Sequence, residues 1–355
     1  MSTPLAAGTR LLVRAPDWLG DLVMSEPALR ALDEHVTTFG GSMTLAGSPR
    51  LLAALDGVLP NAARVDAGDA GAWRGHDAAL LLVNSFRSAW LAARARIPRR
   101  IGWSRDLRGW LLTDAIAPAR EVGGTPALLG ITGRFPRYLP RPFGATCIEL
   151  AGALAVPVRD TRPRLAPSAG GIGAAHRRLA SFGMRYDEPF VLANVGARPD
   201  SAKAYPIELW ARALTEFARR CAWPIVLVCG PGEEAPLRAL LAGTSPSPHM
   251  FACVDPVADL PELVALSAAA RLFLTADSGP RHIAVATNTP LVVVAGPTDP
   301  RHTADHTGST RLIRVPVECG PCHREVCPLA GDAHHACMRR IDPELVARAA
   351  LELVR

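Results

Sequence analysis

A carboxylate stands where the first apolar run of the chain gives way to a helical pattern. The segment is Trp18-Leu19-Gly20-Asp21, directly after the strand-like residues 10–14. Glycine permits a tight turn there, and a carboxylate beside it either caps the helix or takes a proton from a substrate hydroxyl. The local pattern leaves both readings open. A second turn of the same kind, Thr275-Ala276-Asp277-Ser278-Gly279-Pro280-Arg281-His282, leads from a strand into a helix opened by proline. Unpaired backbone N–H groups and the positive end of a helix dipole favour a diphosphate at such a place. Hydroxyls of Thr275 and Ser278 and the imidazole of His282 are further donors, and an ordinary strand-to-helix turn is the plain alternative.

Gly230-Pro231-Gly232-Glu233-Glu234-Ala235 also follows a strand and carries a weak form of the dinucleotide fingerprint G-x-G-x-x-A. Its position in mid-chain and the internal Pro231 argue against a nicotinamide site. Glu233 or Glu234 instead suits the hydroxyl pair of a ribose. Lys203 lies in a loop after the strand that ends at Asn194. It is either a solvated surface charge or a cation that neutralises a leaving diphosphate. The chain has no P-loop motif and no Asp-x-Asp triplet, which excludes the common phosphate-cradling and metal-chelating signatures.

Arg94, Arg96, Arg99, Arg100, Arg105 and Arg108 crowd into one stretch interleaved with Trp103 and Trp110. The stretch is either a solvated basic face or a seat for a polyanionic ligand. No nucleic-acid module frames it, so nucleic acid is not the expected partner. Cys319, Cys322, Cys327 and Cys337, with His323, His334 and His335 among them, supply ligand types for a structural zinc without a standard finger spacing. Packing of reduced thiols in a compact loop is the alternative.

These residues need a scaffold. With 355 residues, 49% of them hydrophobic and 20% charged, the chain is able to bury a large core, and two domains are expected. The longest apolar runs, 78–83 and 290–295, have strand length rather than membrane-span length. Nothing at the N-terminus resembles a signal-peptide core, so a cytoplasmic protein with reduced thiols is expected. Lys+Arg 39 against Asp+Glu 33, a net charge of +6, favours acidic partners such as phosphorylated small molecules or anionic lipid.

Strand-like runs alternate with helical patterns along the whole chain, the signature of parallel α/β sheets. Strands are expected over 10–14, 43–46, 78–83, 190–194, 224–229, 271–275 and 291–295. Helices are expected over 206–220, 233–241 and 280–287, with a terminal helix from an Asp342 cap and Pro343 to 355. A Pro-, Gly- and Arg-rich stretch near the middle reads as a linker. The expected organisation is a first Rossmann-like domain over 1–160, a linker over 161–174 and a second Rossmann-like domain over 175–355. Ligands of such sheets sit at the carboxyl ends of the strands, so the chemistry is expected in a cleft between the halves.

Taken in order, these segments resemble glycosyltransferase family 9, the ADP-heptose lipopolysaccharide heptosyltransferases, and most of all its heptosyltransferase II branch. The resemblance is carried by VRAPDWLGDLVMSEPALRAL, NSFRS and PRRIGWSRDLRGWLLTD in the first half. AKAYP, GPGEE, ADSGPRHIA, GPTDP and the CGPC-x4-CP-x8-CM cluster carry it in the second. It implies a GT-B architecture, two Rossmann-like domains facing across a cleft, and an inverting transfer that needs no metal or other cofactor. It further implies an ADP-heptose donor and a heptosyl-Kdo-lipid A acceptor of the lipopolysaccharide inner core, met peripherally at the inner face of the cytoplasmic membrane.

By matching positions, the resemblance makes Asp21 the general base and Lys203 the diphosphate cation. It gives Asp277, Ser278, Gly279 and His282 to the donor loop and one of Glu233 and Glu234 to the ribose. Arg99, Arg100 and Arg105 would hold acidic groups of the acceptor. Two departures bear on donor selectivity: Val195-Gly196 stands for the family's Pro-Gly, and Ala204-Tyr205 for its basic-aromatic pair. Competing readings are a family 9 transferase using another nucleotide sugar or acceptor, a non-catalytic polyanion-binding protein, and a GT-B-like epimerase.

Overall fold

Short runs of aliphatic residues, buried on both faces, become the strands of two parallel sheets. They are seen in a computed structural model that describes residues 3–118, 141–198, 200–243, 249–303 and 308–354. The chain divides into two compact units. One comprises Met1–Leu52, Leu59–Thr161 and Arg301–Thr303, and the other Ala53–Val58, Arg162–Pro300 and Ala304–Arg355.

The first unit holds β1 (Arg10–Arg14), β2 (Ser42–Gly47), β3 (Ala63–Asp66), β4 (Ala78–Leu81), β5 (Arg99–Trp103) and β6 (Asp114–Ile116). All its strand pairs are parallel, in the order β3-β2-β1-β4-β5-β6. Helices α1 (Leu19–Thr38), α2 (Pro49–Leu52), α3 (Phe86–Arg94) and α4 (Phe143–Ala153) cover it, with α1 packed on α4. In the central strands Leu11, Leu12, Ala79, Leu80 and Leu81 are fully buried. A parallel sheet covered on both faces demands such unbroken apolar runs.

The second unit repeats the plan. Its strands are β7 (Val191–Asn194), β8 (Ile225–Val228), β9 (Met250–Ala252), β10 (Leu272–Ala276), β11 (Leu291–Val294) and β12 (Thr310–Ile313). Its helices are α5 (Ala169–Ser181), α6 (Ile207–Arg220), α7 (Glu234–Gly243), α8 (Leu260–Ala269), α9 (Gly279–Ala286), α10 (Ala336–Arg339) and α11 (Pro343–Leu353). The order is β12-β11-β10-β7-β8-β9, again all parallel. Trp210, Phe217, Val292, Met338 and Ala350 fill its core. Helix α11 opens as expected, Asp342 accepting from the Glu344 N–H at 3.0 Å. It ends at Leu353, and residue 355 lies outside the described residues.

In both units the chain starts in the middle of the sheet, builds outward to one side, then returns to build the other. The order therefore reverses between β1 and β4, and again between β7 and β10. Loops leaving those neighbouring strands run to opposite faces, which opens a crevice at the carboxyl edge.

The stretch read as a linker over 161–174 is corrected in its second part, because α5 begins at Ala169. The Ser168 hydroxyl caps it, accepting from the Gly171 N–H at 3.2 Å. Gly171 lies so near α8 that a Cβ there would stand 2.3 Å from the Pro261 carbonyl oxygen. Glycines that read as loop punctuation are therefore a close helix contact, continued by the Arg178–Glu262 ion pair at 2.8 Å.

Candidate active site

The first crevice holds Asp21. A cavity of about 300 Å3 at the carboxyl edge of the first sheet is lined by Asp21 and Met24 of α1, Leu82 and Asn84 beyond β4, Trp103 at the end of β5, and Arg105. Asp21 is the sole carboxylate among its described lining residues. The cap position of α1 belongs to Trp18, whose side chain makes no capping bond, and Asp21 sits within the first turn. The neighbouring acid, Asp17, is held elsewhere by Arg14 at 2.6 Å. Cys147 on α4, fully buried, is kept a neutral thiol by burial first and then by the Asp21 charge.

The arginine-rich stretch divides between two ends of one strand. Arg99 and Arg100 open β5 at the amino edge of the sheet, and at ~3.3 Å per residue Arg99 is about 13 Å from Trp103. The Arg99 guanidinium donates to Asp114 at 3.3 Å and to the Pro4 carbonyl at 3.1 Å. Arg100 donates to the carbonyls of Leu111 and Ile97, both at 2.7 Å. The expectation that these two hold an acceptor is corrected: they stitch β5 to β6 and its approach, at the edge opposite the cavity. Of the three arginines given that role, Arg105 lines the cavity. Arg108 is fully buried, donating to the Trp103 carbonyl at 3.1 Å, to the Val83 carbonyl and to Asn84 Oδ1 at 3.2 Å. Burial lowers its pKa to about 10.

The second crevice, between β7 and β10, gathers Lys203, Asp277 and His282. Asp277 follows β10 and is buried, accepting from Arg281 Nη1 at 2.6 Å and from the Thr298 hydroxyl. Burial opposes its charge, but Arg281, Thr298 and Lys203 together hold its pKa below the usual carboxylate range. Asp277 thus anchors the loop before α9 through Arg281 and Thr298. Ser278 occupies the N-cap of α9 in extended conformation and Pro280 its first turn, but the N–H groups expected to be open are partly used: that of Asp277 donates to the Val294 carbonyl at 3.0 Å and that of Ser278 to the Ala276 carbonyl at 2.8 Å. His282 is buried, and burial, then the Arg281 charge, brings its pKa down to about 3, so it is a neutral imidazole at pH 7. The Thr275 hydroxyl, expected as a donor to a ligand, instead donates to the Ala276 carbonyl at 3.0 Å. It is fully buried and accepts from Asn194 Nδ2 at 3.3 Å inside the sheet.

The two glutamates separate clearly. Glu233 Oε2 accepts the Gly230 N–H at 3.0 Å, and a Cβ on Gly196 would stand 2.6 Å from that same oxygen. Glu233 therefore lies over the carboxyl ends of β7 and β8, and Gly196 is the residue that leaves it room. Glu234 opens α7 and accepts from the Gly232 N–H at 3.1 Å; backbone N–H groups lower its pKa. Its work is local to the helix start.

The Lys203 loop is braced from the cysteine-rich segment. The Ala202 N–H donates to the Glu325 carbonyl at 2.7 Å, and the buried Tyr205 hydroxyl donates to the Ile341 carbonyl at 2.9 Å. The same segment supports the loop that carries Thr298. The His323 N–H donates to Pro297 at 2.9 Å, and a Cβ on Gly296 would stand 2.5 Å from Met338 Sδ. Tyr205, the aromatic member of the Ala204-Tyr205 pair, is thus an anchor. Cys319, Cys322, Cys327 and Cys337 are free thiols, and Cys337 is raised by burial first and then by the other three. Among the described residues, however, no three His, Cys, Asp or Glu side chains are grouped as a metal site.

Asn84, Trp103, Thr298 and Gly196 were not singled out as site residues from sequence, and only long-range packing reveals them. Arg281 had a local signal, lying four residues beyond Asp277 and so on the same face of the helix start.

The chain matches the family described as glycosyltransferase family 9 (heptosyltransferase) over residues 73–332. It is 26% identical over 319 residues to lipopolysaccharide heptosyltransferase 2 of Salmonella typhimurium, covering 86% of this chain and 88% of that protein. The solved structure of ADP-heptose lipopolysaccharide heptosyltransferase II of E. coli is similar with a TM-score of 0.72 and 23% identity, over 97% of this chain and 98% of that one. A glycosyl transferase family 9 structure from Veillonella parvula gives a TM-score of 0.76 at 18% identity, over 100% of this chain and 98% of the other. At such identities the structural likeness speaks for the fold, two Rossmann-like α/β units of the GT-B type.

Proposed function

The chain belongs to glycosyltransferase family 9, the heptosyltransferases of lipopolysaccharide synthesis, and from that premise we propose that it moves heptose from ADP-heptose to a heptosyl-Kdo-lipid A acceptor. The observation that carries this reading is the pairing of chemistry with topology. A carboxylate, Asp21, lines the cavity at one strand-order reversal, and a lysine with a helix start attends the other.

Asp21 takes the proton of an acceptor hydroxyl as its oxygen attacks the anomeric carbon of heptose. The bond from that carbon to the diphosphate oxygen breaks in the same displacement, which inverts the configuration. The electron pair leaves with ADP, where Lys203 and the positive end of helix α9 at Gly279 offset the developing charge. Glu233 accepts from the ribose hydroxyls. Asp277 does not touch the donor in this scheme; it orients the loop that does. Arg105 faces acidic groups of the acceptor. No metal takes part.

Purified protein with ADP-heptose and an acyl-free heptosyl-Kdo acceptor should release ADP and add one heptose mass, with the α or β product read by NMR and unaltered turnover in EDTA. Retained configuration, or loss of turnover in EDTA restored by a divalent cation, would overturn the mechanism. No ADP release with ADP-heptose but turnover with another nucleotide sugar would overturn the donor.

A further inference from the structure

Four exposed apolar side chains of the first unit lie together on α3 and the loop beyond β5. Phe86 and Trp90 stand one turn apart on α3, and the Trp110 ring lies 6.2 Å from that of Phe86. Leu107, in the loop beyond β5, is 91% exposed and Trp110 74%. Helix α3 begins just after Asn84, which lines the cavity, so the patch borders the same sheet edge as Asp21. The charge around it is mainly positive. Arg87, Arg94 and Arg96 are exposed, the Arg94 guanidinium lies 5.2 Å above the Trp90 ring, and residues 82–105 contain no Asp or Glu. Asp106, at the loop tip, is the first acid beyond them.

The loop is also built in an unusual way. Asp106 and Leu107 have φ of +52° and +57°, a left-handed conformation that a leucine seldom adopts. Beneath them the buried Arg108 donates to carbonyl oxygens of Trp103, Val83 and Asn84. The fold commits a buried cation and two left-handed residues to a loop that holds a leucine and a tryptophan in water. Stability alone does not account for that arrangement.

We propose that Phe86, Trp90, Leu107 and Trp110, with Arg87 and Arg94, form a docking surface for an anionic lipid bilayer. Tryptophan and arginine share the preference this requires: an apolar body that enters the headgroup layer and a polar group that stays at its wet, phosphate-bearing face. A dry protein interface would strip water from two arginines without supplying phosphate. The surface complements the lipid-borne acceptor of the proposed function, but it rests on the exposed rings and guanidinium groups themselves, so the two readings fail separately.

The test is sedimentation of the full chain with vesicles of phosphatidylcholine alone or mixed with phosphatidylglycerol. The native protein should bind the mixed vesicles more tightly, and binding should fall as salt rises. Leu107→Ser with Trp110→Ser should weaken binding by at least about tenfold, since each buries a large apolar side chain in the bilayer. Arg87→Ala with Arg94→Ala should erase the preference for the anionic lipid. Phe39→Ser, an exposed aromatic at the far end of α1, should change nothing. Thermal melts and turnover on an acyl-free acceptor, expected unchanged in the Leu107/Trp110 variant, exclude misfolding. Failure of the native protein to bind mixed vesicles, equal binding by the Leu107/Trp110 variant, or an equal loss in Phe39→Ser would overturn the proposal. Vesicle binding without heptose transfer would leave it standing and sink the transferase reading instead.

Discussion

Asp21→Asn separates a base from a structural carboxylate because the two roles differ in size. Asp21 sits in the first turn of α1, whose cap position is held by Trp18 without a side-chain bond. What asparagine loses structurally is the attraction of a charge to the helix start, about 0.3–1 kcal/mol. That corresponds to a melting shift of at most about 2–4 °C. Cys147 stays neutral, since burial is the larger cause of its raised pKa and Asp21 the lesser. What the reaction loses is the proton acceptor, worth ~10² to 10⁴ in rate, or about 3–5 kcal/mol of barrier. Turnover on an acyl-free acceptor, a thermal melt and ADP calorimetry should therefore show a folded protein with ordinary ADP affinity and a rate down at least a hundredfold. ADP affinity is expected to hold because the residues proposed for the donor, Lys203, Glu233 and His282, belong to the other unit. A folded Asp21→Asn protein turning over within threefold of wild type would refute the assignment.

Lys203→Ala should slow transfer by ~10² to 10³, more than it weakens ADP binding, because the cation meets its full partner charge only as the diphosphate leaves; equal kinetics would remove it from the mechanism. Glu233→Gln should weaken ADP binding about tenfold, the scale of one charge-assisted hydrogen bond, while Glu234→Gln leaves it nearly unchanged. Calorimetry giving the reverse order would exchange their roles. His282 is neutral when folded, with a pKa near 3 against 6.5 in the unfolded chain, so protons bind the unfolded state first as pH falls. The melting temperature should drop from pH 6.5 downward, and less steeply in His282→Gln; parallel slopes would contradict the buried neutral imidazole. Arg100→Ala should cost about 1–3 kcal/mol of stability through lost carbonyl bonds and leave the acceptor KM alone, whereas a raised KM with an unchanged melt would restore it to the acceptor site.

The candidate site was legible in the sequence wherever its signals are local. Strand, glycine turn and helix start recur at Asp21, at Gly230 and at Asp277-Ser278-Gly279, and the caps and breakers that make them act within three or four residues. The alternation that announced two α/β units is local as well. Strand order is not, because pairing joins residues far apart in the chain, as in Leu12 with Ala79 or Thr275 with Asn194. Only that order put Asp21 at one reversal and Lys203 with Asp277 at the other. Long side chains misled for the same reason. Arg99 and Arg100 looked like a polyanion seat because nothing local shows that β5 starts with them, or that their guanidinium groups end on Pro4, Asp114 and Leu111. Adjacent Glu233 and Glu234 are equivalent in sequence, and it took the approach of Gly196 from another strand to set one over the sheet and leave the other at a helix start. The glycines before α5 and the cysteine-rich segment under the Lys203 loop follow the same logic. Composition shows that such residues are special, and the partner that makes them so arrives only when the chain has folded.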